Sequence, residues 1–363
     1  MERIHLILKA SERTSEIFVG VDLLDFLAKD LNERPLGNRL GIVTDTHVKS
    51  ILGNRLRNHL TQSGLKVDMI AVRPGEGSKR WETAQSIFER IAAAGFDRKS
   101  ALLALGGGVV GDLTGFVASL YMRSIAYAQV PTTLLAQVDS ALGGKTAIDL
   151  RERKNLLGTF HQPRRVYADP SLLNTLPQEE IQNGLAEVIK SAIIRDRRFF
   201  QFLEDHQEAI LSRDRTVMVK LVTQCCRIKS AAVMKDEKDT GLRRMLNFGH
   251  TVGHAIEAYT DYAIPHGMAV SMGISAETVL SSRLKILATH EKERILHLLE
   301  SYRLPTRIPS SFKRDKLIGL MHSDKKAENG SITVVLPTAI GKVSVKKGIP
   351  DLLIESALQE VVQ

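Results

Sequence analysis

The chain has 363 residues, 43% apolar and 25% charged, enough to fill two cores and unlike a disordered composition. No apolar run approaches the ~18–20 residues of a membrane span, and Met1-Glu2-Arg3-Ile4 leads straight into mixed sequence without a signal-peptide core, so the reading is a cytoplasmic protein. The formal charge is +9, but Lys and Arg are scattered, with no dense basic tract and few aromatics beside them; a basic pocket or vestibule for an anionic small molecule explains the excess about as well as nucleic acid, which is not expected as the main ligand.

In chain order, 41–45 reads as a strand running into a loop, and 67–72 as a β-branched strand before the turn-like Pro74-Gly75-Glu76-Gly77. Residues 85–95 are helical, with Ile87, Ile91 and Ala94 on one face. A buried strand at 100–105 runs into Gly106-Gly107-Gly108, and a further strand at 125–130 ends at Pro131. Strands alternating with helical periods predict a largely parallel α/β layer. Beyond Pro177 the character changes: 179–235, 242–258 and 268–301 carry helical periods, with a loop around Pro265. The boundary falls near 169–177, where two prolines and Asn174 punctuate the chain. The two cysteines, Cys225 and Cys226, are too few for a disulfide framework or a four-thiolate metal site, and being adjacent they seldom bridge each other; they read as small buried residues in a helix.

The run Gly106-Gly107-Gly108-Val109-Val110-Gly111-Asp112 lets backbone amides at a helix start approach a pyrophosphate, although its glycine spacing differs from the common dinucleotide fingerprint. Asp112 either fixes the turn or bonds to a ligand. Thr132 and Thr133 follow a strand, where ligands of parallel sheets collect or where a hydroxyl caps a helix. Gly143-Gly144-Lys145-Thr146 resembles a P-loop tail, but Asp139 stands where the first glycine is needed, so only the lysine remains a phosphate ligand.

His250, His254 and Glu257 would point from one helix face, and His266 follows a short loop; upstream, Glu187 and Lys190 lie on neighbouring turns. One carboxylate and two imidazoles suit a divalent ion with open positions. Spacing alone does not choose among His250, His254 and His266, and without His-Glu-x-x-His it does not license the zinc-protease reading. His161 and His322 sit beside candidate loops.

These motifs, in order and over nearly the whole chain, resemble the 3-dehydroquinate synthase family of sugar-phosphate cyclases, most densely at 106–123, 129–163, 184–196, 236–257 and 322–341. The resemblance implies an α/β N-terminal nucleotide-binding domain (1–175), a mostly helical C-terminal metal-binding domain (176–363), an active site in the cleft between them, and a homodimer. It assigns Glu187, His250 and His266 as ligands of Zn2+ (or Co2+), and sets His254 beside the departing phosphate. Around NAD+ it puts Asp45, Glu76, Lys79, Gly107, Gly108, Asp112, Thr132, Thr133, Asp139, Lys154, Thr175 and Leu176. Substrate contacts carried over are Lys145, Asn155, Lys190, Lys229, Arg243, Asn247, Lys325 and Lys326, while Arg123 resembles the family arginine that reaches the neighbouring subunit's phosphate site.

The implied reaction converts 3-deoxy-D-arabino-heptulosonate 7-phosphate to 3-dehydroquinate and phosphate through transient NAD-dependent oxidation, elimination, reduction and aldol cyclisation. Inosose- or valiolone-forming cyclases, a polyol dehydrogenase and a nonenzymatic metal-binding protein are the competing readings. Two departures stand out: Met268 follows His266-Gly267 where the family often has glutamate, and the loop 149–155 lacks the commoner glycine before Lys154.

Overall fold

A computed structural model of the chain describes residues 3–9, 14–151, 153–239, 241–323 and 332–362. They form two compact units. One runs to Leu176 and includes Met218–Lys238; the other comprises Pro177–Val217 and the residues from Asp239 onward. The first unit takes in Leu176 and Met218–Lys238, both C-terminal to the 175/176 division expected from the sequence. Met218–Lys238 joins the first unit, where the Cys226 thiol donates to the Gln137 carbonyl at 3.5 Å. A helical period says that a face is buried, not which core receives it.

The strands of the first unit are β1 (Ile4–Lys9), β2 (Thr14–Val19), β3 (Leu40–Asp45), β4 (Val67–Val72), β5 (Ala101–Gly106), β6 (Ala126–Pro131), β7 (Lys145–Leu150), β8 (Arg153–Phe160) and β9 (Arg165–Ala168). Seven of them form one sheet in the order β1-β2-β9-β6-β5-β3-β4, antiparallel only between β1 and β2. Its helices are α1 (Leu23–Glu33), α2 (Thr46–Val48), α3 (Asn54–Gln62), α4 (Trp81–Ala93) and α5 (Gly108–Leu120). Alternation splits the apolar residues between two faces. Ile42, Leu103 and Leu105 pack with Leu27, Leu56 and Leu60 of α1 and α3, whereas Val43 and Leu102 pack with Ile87, Leu113 and Phe116 of α4 and α5. Because β3 lies between β4 and β5, the strand order reverses there, and Asp45 and Gly106 end the two strands flanking the switch point, where such sheets bind ligands. The antiparallel hairpin β7–β8 was not expected from the sequence.

The second half of the chain continues with α6 (Gln178–Arg195), α7 (Arg197–Asp205), α8 (Gln207–Leu211) and α9 (Arg215–Lys235), the last belonging to the first unit from Met218 on. Then come α10 (His250–Tyr259), α11 (His266–Arg283), α12 (Thr289–Ser301), α13 (Arg314–Ser323), the hairpin β10 (Thr333–Ala339) and β11 (Lys342–Lys347), and α14 (Asp351–Val361). The expected helix at 242–258 is two pieces: a 3-10 segment, Leu242–Asn247, and α10, separated at Gly249 with φ 78°. The period at 268–301 also breaks, at Lys285 with φ 56°, between α11 and α12. Val252, Ile256, Met272, Leu280, Met321, Leu336 and Leu358 share the core of this unit. α11 is buried from Gly267 through Ser281 on every side apart from Met268. Among the described residues no helix is long and apolar enough to cross a membrane.

Glycines set how closely α10 and α11 approach. A Cβ on Gly273 would lie 2.0 Å from the Gly249 oxygen and 2.8 Å from the Gly253 nitrogen, so α11 presses bare backbone on the start of α10. Gly319, inside α13, has nothing within 4 Å of such a Cβ. We predict that Gly273→Ala lowers unfolding stability by about 1–3 kcal/mol through overpacking, whereas Gly319→Ala raises it by about 0.5–1 kcal/mol through helix propensity. Urea unfolding checks both; equal stability of the two variants would contradict the tight helix contact.

Candidate active site

Three helices each bring one donor to a common point. Glu187 lies mid-way along α6, His250 is the first residue of α10, and His266 is the first residue of α11. One ligand atom from each lies within 4.8 Å of the others, a donor set of one carboxylate oxygen and two imidazole nitrogens that fits a divalent ion. Nε2 of His250 is 3.4 Å and Nε2 of His266 3.3 Å from Glu187 Oε1. His254, one turn beyond His250, stands edge-on to it with ring centroids 5.3 Å apart and is outside the three-donor group.

Backbone packing fixes the three donors. A Cβ on Gly267 would lie 2.0 Å from the Asn183 oxygen of α6, and the Gly267 N–H donates to Asn183 Oδ1 at 2.5 Å, so the start of α11 is pinned to the helix carrying Glu187. The start of α10 is held by Glu277 of α11, which accepts from the Gly249 N–H at 2.7 Å and the Val252 N–H at 3.4 Å. A buried carboxylate there satisfies amides that the helix cannot and complements its dipole. His250 Nδ1 lies 3.0 Å from the Phe248 carbonyl, an acceptor that leaves Nε2 toward Glu187. Sequence reasoning missed Glu277 and Asn183. The one available signal was a carboxylate embedded in the otherwise small and apolar run of α11.

Glu187 and Lys190 are both buried and ion-paired on adjacent turns of α6. Burial pushes the Glu187 carboxyl upward, but Lys190 and His266 outweigh it and hold the group well below the usual carboxylate range. Burial pulls His266 down, yet its hydrogen bonds to Glu187 and Glu257 prevail and raise it above the ordinary imidazole range. Arg243 is buried in the 3-10 segment, with Asn247 half-buried at its end. Lys325 and Lys326 lie outside the described residues.

In the first unit, Gly107 is the N-cap of α5 and Gly108 its first residue, directly after β5. A Cβ on Gly107 would meet Thr133 Cγ2 at 3.1 Å, and one on Gly108 would meet Ser140 Oγ at 3.0 Å; a helix start this bare fits a pyrophosphate. Lys79 is buried, and its Nζ reaches Asp112 Oδ2 and Asn155 Oδ1, each at 2.5 Å. Asp112 thus bonds Lys79, and Asn155, expected at the substrate, sits with two residues expected at the cofactor. Asp149 Oδ1 fixes the Asn155 N–H at 2.8 Å. Burial opposes the Lys79 charge, but Asp112, Glu76 and Asp149 prevail and raise its pKa; burial raises Asp112 against the pull of Lys79. Lys154 Nζ is 3.9 Å from Glu76 Oε1, and Lys229 Nζ is 2.7 Å from both the Asp139 carboxylate and its carbonyl.

The other expected residues are less gathered. Asp45 caps α2, accepting from the His47 and Val48 N–H groups at 2.9 and 2.8 Å. Thr133 Oγ1 accepts from the Ala136 N–H at 3.2 Å, the capping alternative for that hydroxyl, while Thr132 is buried. Lys145 opens β7 with its side chain exposed, and Thr175 and Leu176 end the 3-10 turn that starts at Pro170. Arg123 is exposed in left-handed backbone between Met122 and Ser124. His161 is buried against Tyr127 and bonds the Ile125 carbonyl at 3.0 Å, and His322 pairs with Asp351; both have structural partners. Burial pushes the Cys226 thiol up to about 12, so it is no nucleophile.

A cation at the three donors must displace the His266 proton that Glu187 and Glu257 favour. Raising the pH removes that competitor, so affinity for Zn2+ should climb with pH by up to about tenfold per unit while His266 is still protonated, with proton release on binding. Isothermal titration in buffers of different ionisation enthalpy checks this. Binding that is flat with pH and releases no proton would contradict it.

Comparison with known proteins places the site in context. Residues 69–183 match the family described as 3-dehydroquinate synthase N-terminal, and residues 184–327 match 3-dehydroquinate synthase C-terminal. The chain is 40% identical over 346 residues to a 3-dehydroquinate synthase of Thermodesulfovibrio yellowstonii, covering 95% of this chain and 96% of that one. It is 42% identical over 359 residues to one of Caulobacter vibrioides, covering 96% of each. Among solved structures, a 2-epi-5-epi-valiolone synthase from Streptomyces hygroscopicus with NAD+ and Zn2+ bound aligns at a TM-score of 0.88 and 27% identity, over 98% of both chains. A 2-deoxy-scyllo-inosose synthase complexed with carbaglucose-6-phosphate, NAD+ and Co2+ shares the fold, with a TM-score of 0.89 at 24% identity over 99% of this chain and 100% of that one. With both halves matched and relatives of this identity spanning nearly its whole length, the chain belongs to the 3-dehydroquinate synthase family.

Proposed function

We propose that this chain is a 3-dehydroquinate synthase, a phosphate-eliminating lyase that converts 3-deoxy-D-arabino-heptulosonate 7-phosphate to 3-dehydroquinate and phosphate using NAD+ and one divalent ion, Zn2+ or Co2+. The observation that carries the reading is the convergence of Glu187, His250 and His266 in a chain whose relatives at 40% identity carry that activity by name. When bound, NAD+ supplies a reversible hydride acceptor and the metal ion polarises substrate oxygens.

The protein's own groups then orient and hold charge. In the first unit we assign Gly107 and Gly108 to the pyrophosphate, with Asp45, Glu76, Lys79, Asp112, Thr132, Thr133, Asp139, Lys154, Thr175 and Leu176 around the rest of the dinucleotide. The Lys79–Asp112–Asn155 bonds supply the rigidity such a site needs. Lys145, Asn155 and Lys229 in this unit, and Lys190, Arg243, Asn247 and His254 in the other, are our substrate contacts, together with Lys325 and Lys326. Buried or half-buried cations such as Lys190, Lys229 and Arg243 bond a phosphate or carboxylate more strongly than exposed ones. His254 would orient the departing phosphate or donate to it.

The same reading carries a cytoplasmic enzyme with a phosphorylated sugar-acid substrate and no nucleic-acid or membrane partner. It also carries a homodimer with Arg123 at the neighbouring subunit's phosphate site. The exposed apolar side chains Leu156, Leu157 and Phe160 on β8 support an association surface.

The test offers the purified protein, with NAD+ and Zn2+, three sugar phosphates: the heptulosonate and the substrates of the inosose- and valiolone-forming cyclases. Phosphate release and carbocycle mass are read together. The expected result is turnover of the heptulosonate alone with no net NADH. Selective turnover of either other substrate assigns the chain to a neighbouring cyclase, and stoichiometric NADH would make it a dehydrogenase.

A further inference from the structure

The two histidines of the donor set are anchored differently. Each turns Nε2 toward Glu187 Oε1, but His250 rests Nδ1 on a backbone carbonyl, that of Phe248 at 3.0 Å, whereas Nδ1 of His266 faces Glu257 Oε2 at 3.4 Å. Glu257 lies two turns after His250 on α10, so the helix that supplies one donor also supplies the carboxylate behind the donor of α11. It is only 5% exposed, and a carboxylate kept from water is costly unless it meets a hydrogen-bond donor. Met268, two residues after His266, brings no charge of its own.

We propose that Glu257 is the positioning residue for His266: it accepts the Nδ1 proton, fixes the tautomer and the ring plane, and leaves the Nε2 lone pair for a metal ion. The inference rests on the reading of Glu187, His250 and His266 as metal ligands. A neutral imidazole carries one N–H and one lone pair, so the bond at Nδ1 decides what Nε2 offers, and the negative charge behind the ring strengthens the donor. A carboxylate on α10 can do this for a histidine on α11 because the glycine contacts at Gly249, Gly253 and Gly273 hold the two helices together.

The experiment titrates chelator-stripped full-length protein with Zn2+ alone against a competing chelator, and with Co2+ alone while its absorption bands are recorded. Glu257→Gln, which keeps volume but loses charge, and Glu257→Ala are compared with the unaltered chain, with circular dichroism and thermal melts of the metal-free proteins. The expected result is one ion per unaltered chain, affinity about tenfold weaker in Glu257→Gln and nearer 100-fold weaker in Glu257→Ala, and altered Co2+ bands at unchanged melting temperature in the glutamine variant. Should the alanine variant fail to fold, the glutamine variant decides. If the unaltered chain binds one ion and the folded variants match its affinity and spectrum, the role of Glu257 is refuted while the metal site stands. If the unaltered chain binds no ion, the metal reading fails and this inference with it.

Discussion

Removing a carboxylate from water costs several kcal/mol unless cations or donors replace the lost hydration. Glu187, 1% exposed in the middle of α6, imposes that condition on the second unit. Lys190 meets it from the same helix and His266 from α11, while His250 Nε2 of α10 stands 3.4 Å from the same carboxylate, so the three helices converge on one charge. The helices come close enough only because bare backbone stands at Gly267 and at the Gly249–Gly273 contact. Glu277 and Asn183 then satisfy the amides at the starts of α10 and α11, from which the histidines project. Stability and site geometry are therefore one arrangement: what closes the helix ends also aims the donors.

The first unit solves a different problem with the same economy of means. A parallel sheet covered by helices on both faces ends its strands in loops, and the order reversal beside β3 opens a place for a ligand between two of them. Gly107 and Gly108 start α5 there without side chains, and Lys79, buried, bonds both Asp112 of that helix and Asn155. Lys79, Lys190, Lys229 and Arg243 are buried, and the first three are paired with Asp112, Glu187 and Asp139.

The parts readable in the sequence were those with short-range causes. Strand 101–106 was visible because apolar residues run unbroken into glycine, and the start of α5 because that glycine run precedes a helical period. His250, His254 and Glu257 could be put on one helix by spacing, but which imidazole is a donor depends on where α6 delivers Glu187, a tertiary fact. The resemblance chose His250 and His266, and the geometry groups those same two. Gly249 was unreadable as a helix break because its cause is contact with α11: a Cβ there would lie 2.5 Å from Ile274. Likewise Asn155 looked like a substrate contact by resemblance, while its bond to Lys79 spans residues far apart in sequence.

The proposed site holds a divalent ion with one carboxylate and two imidazoles from three helices. Zinc content per chain, measured by mass spectrometry on the unaltered protein and on Glu187→Ala, His250→Ala, His266→Ala and His254→Ala, tests it most directly. One zinc is expected in the unaltered protein, with strong loss in the first three variants and near-full retention in His254→Ala. Full retention in those three, or loss of zinc in His254→Ala while His266→Ala keeps it, would contradict it.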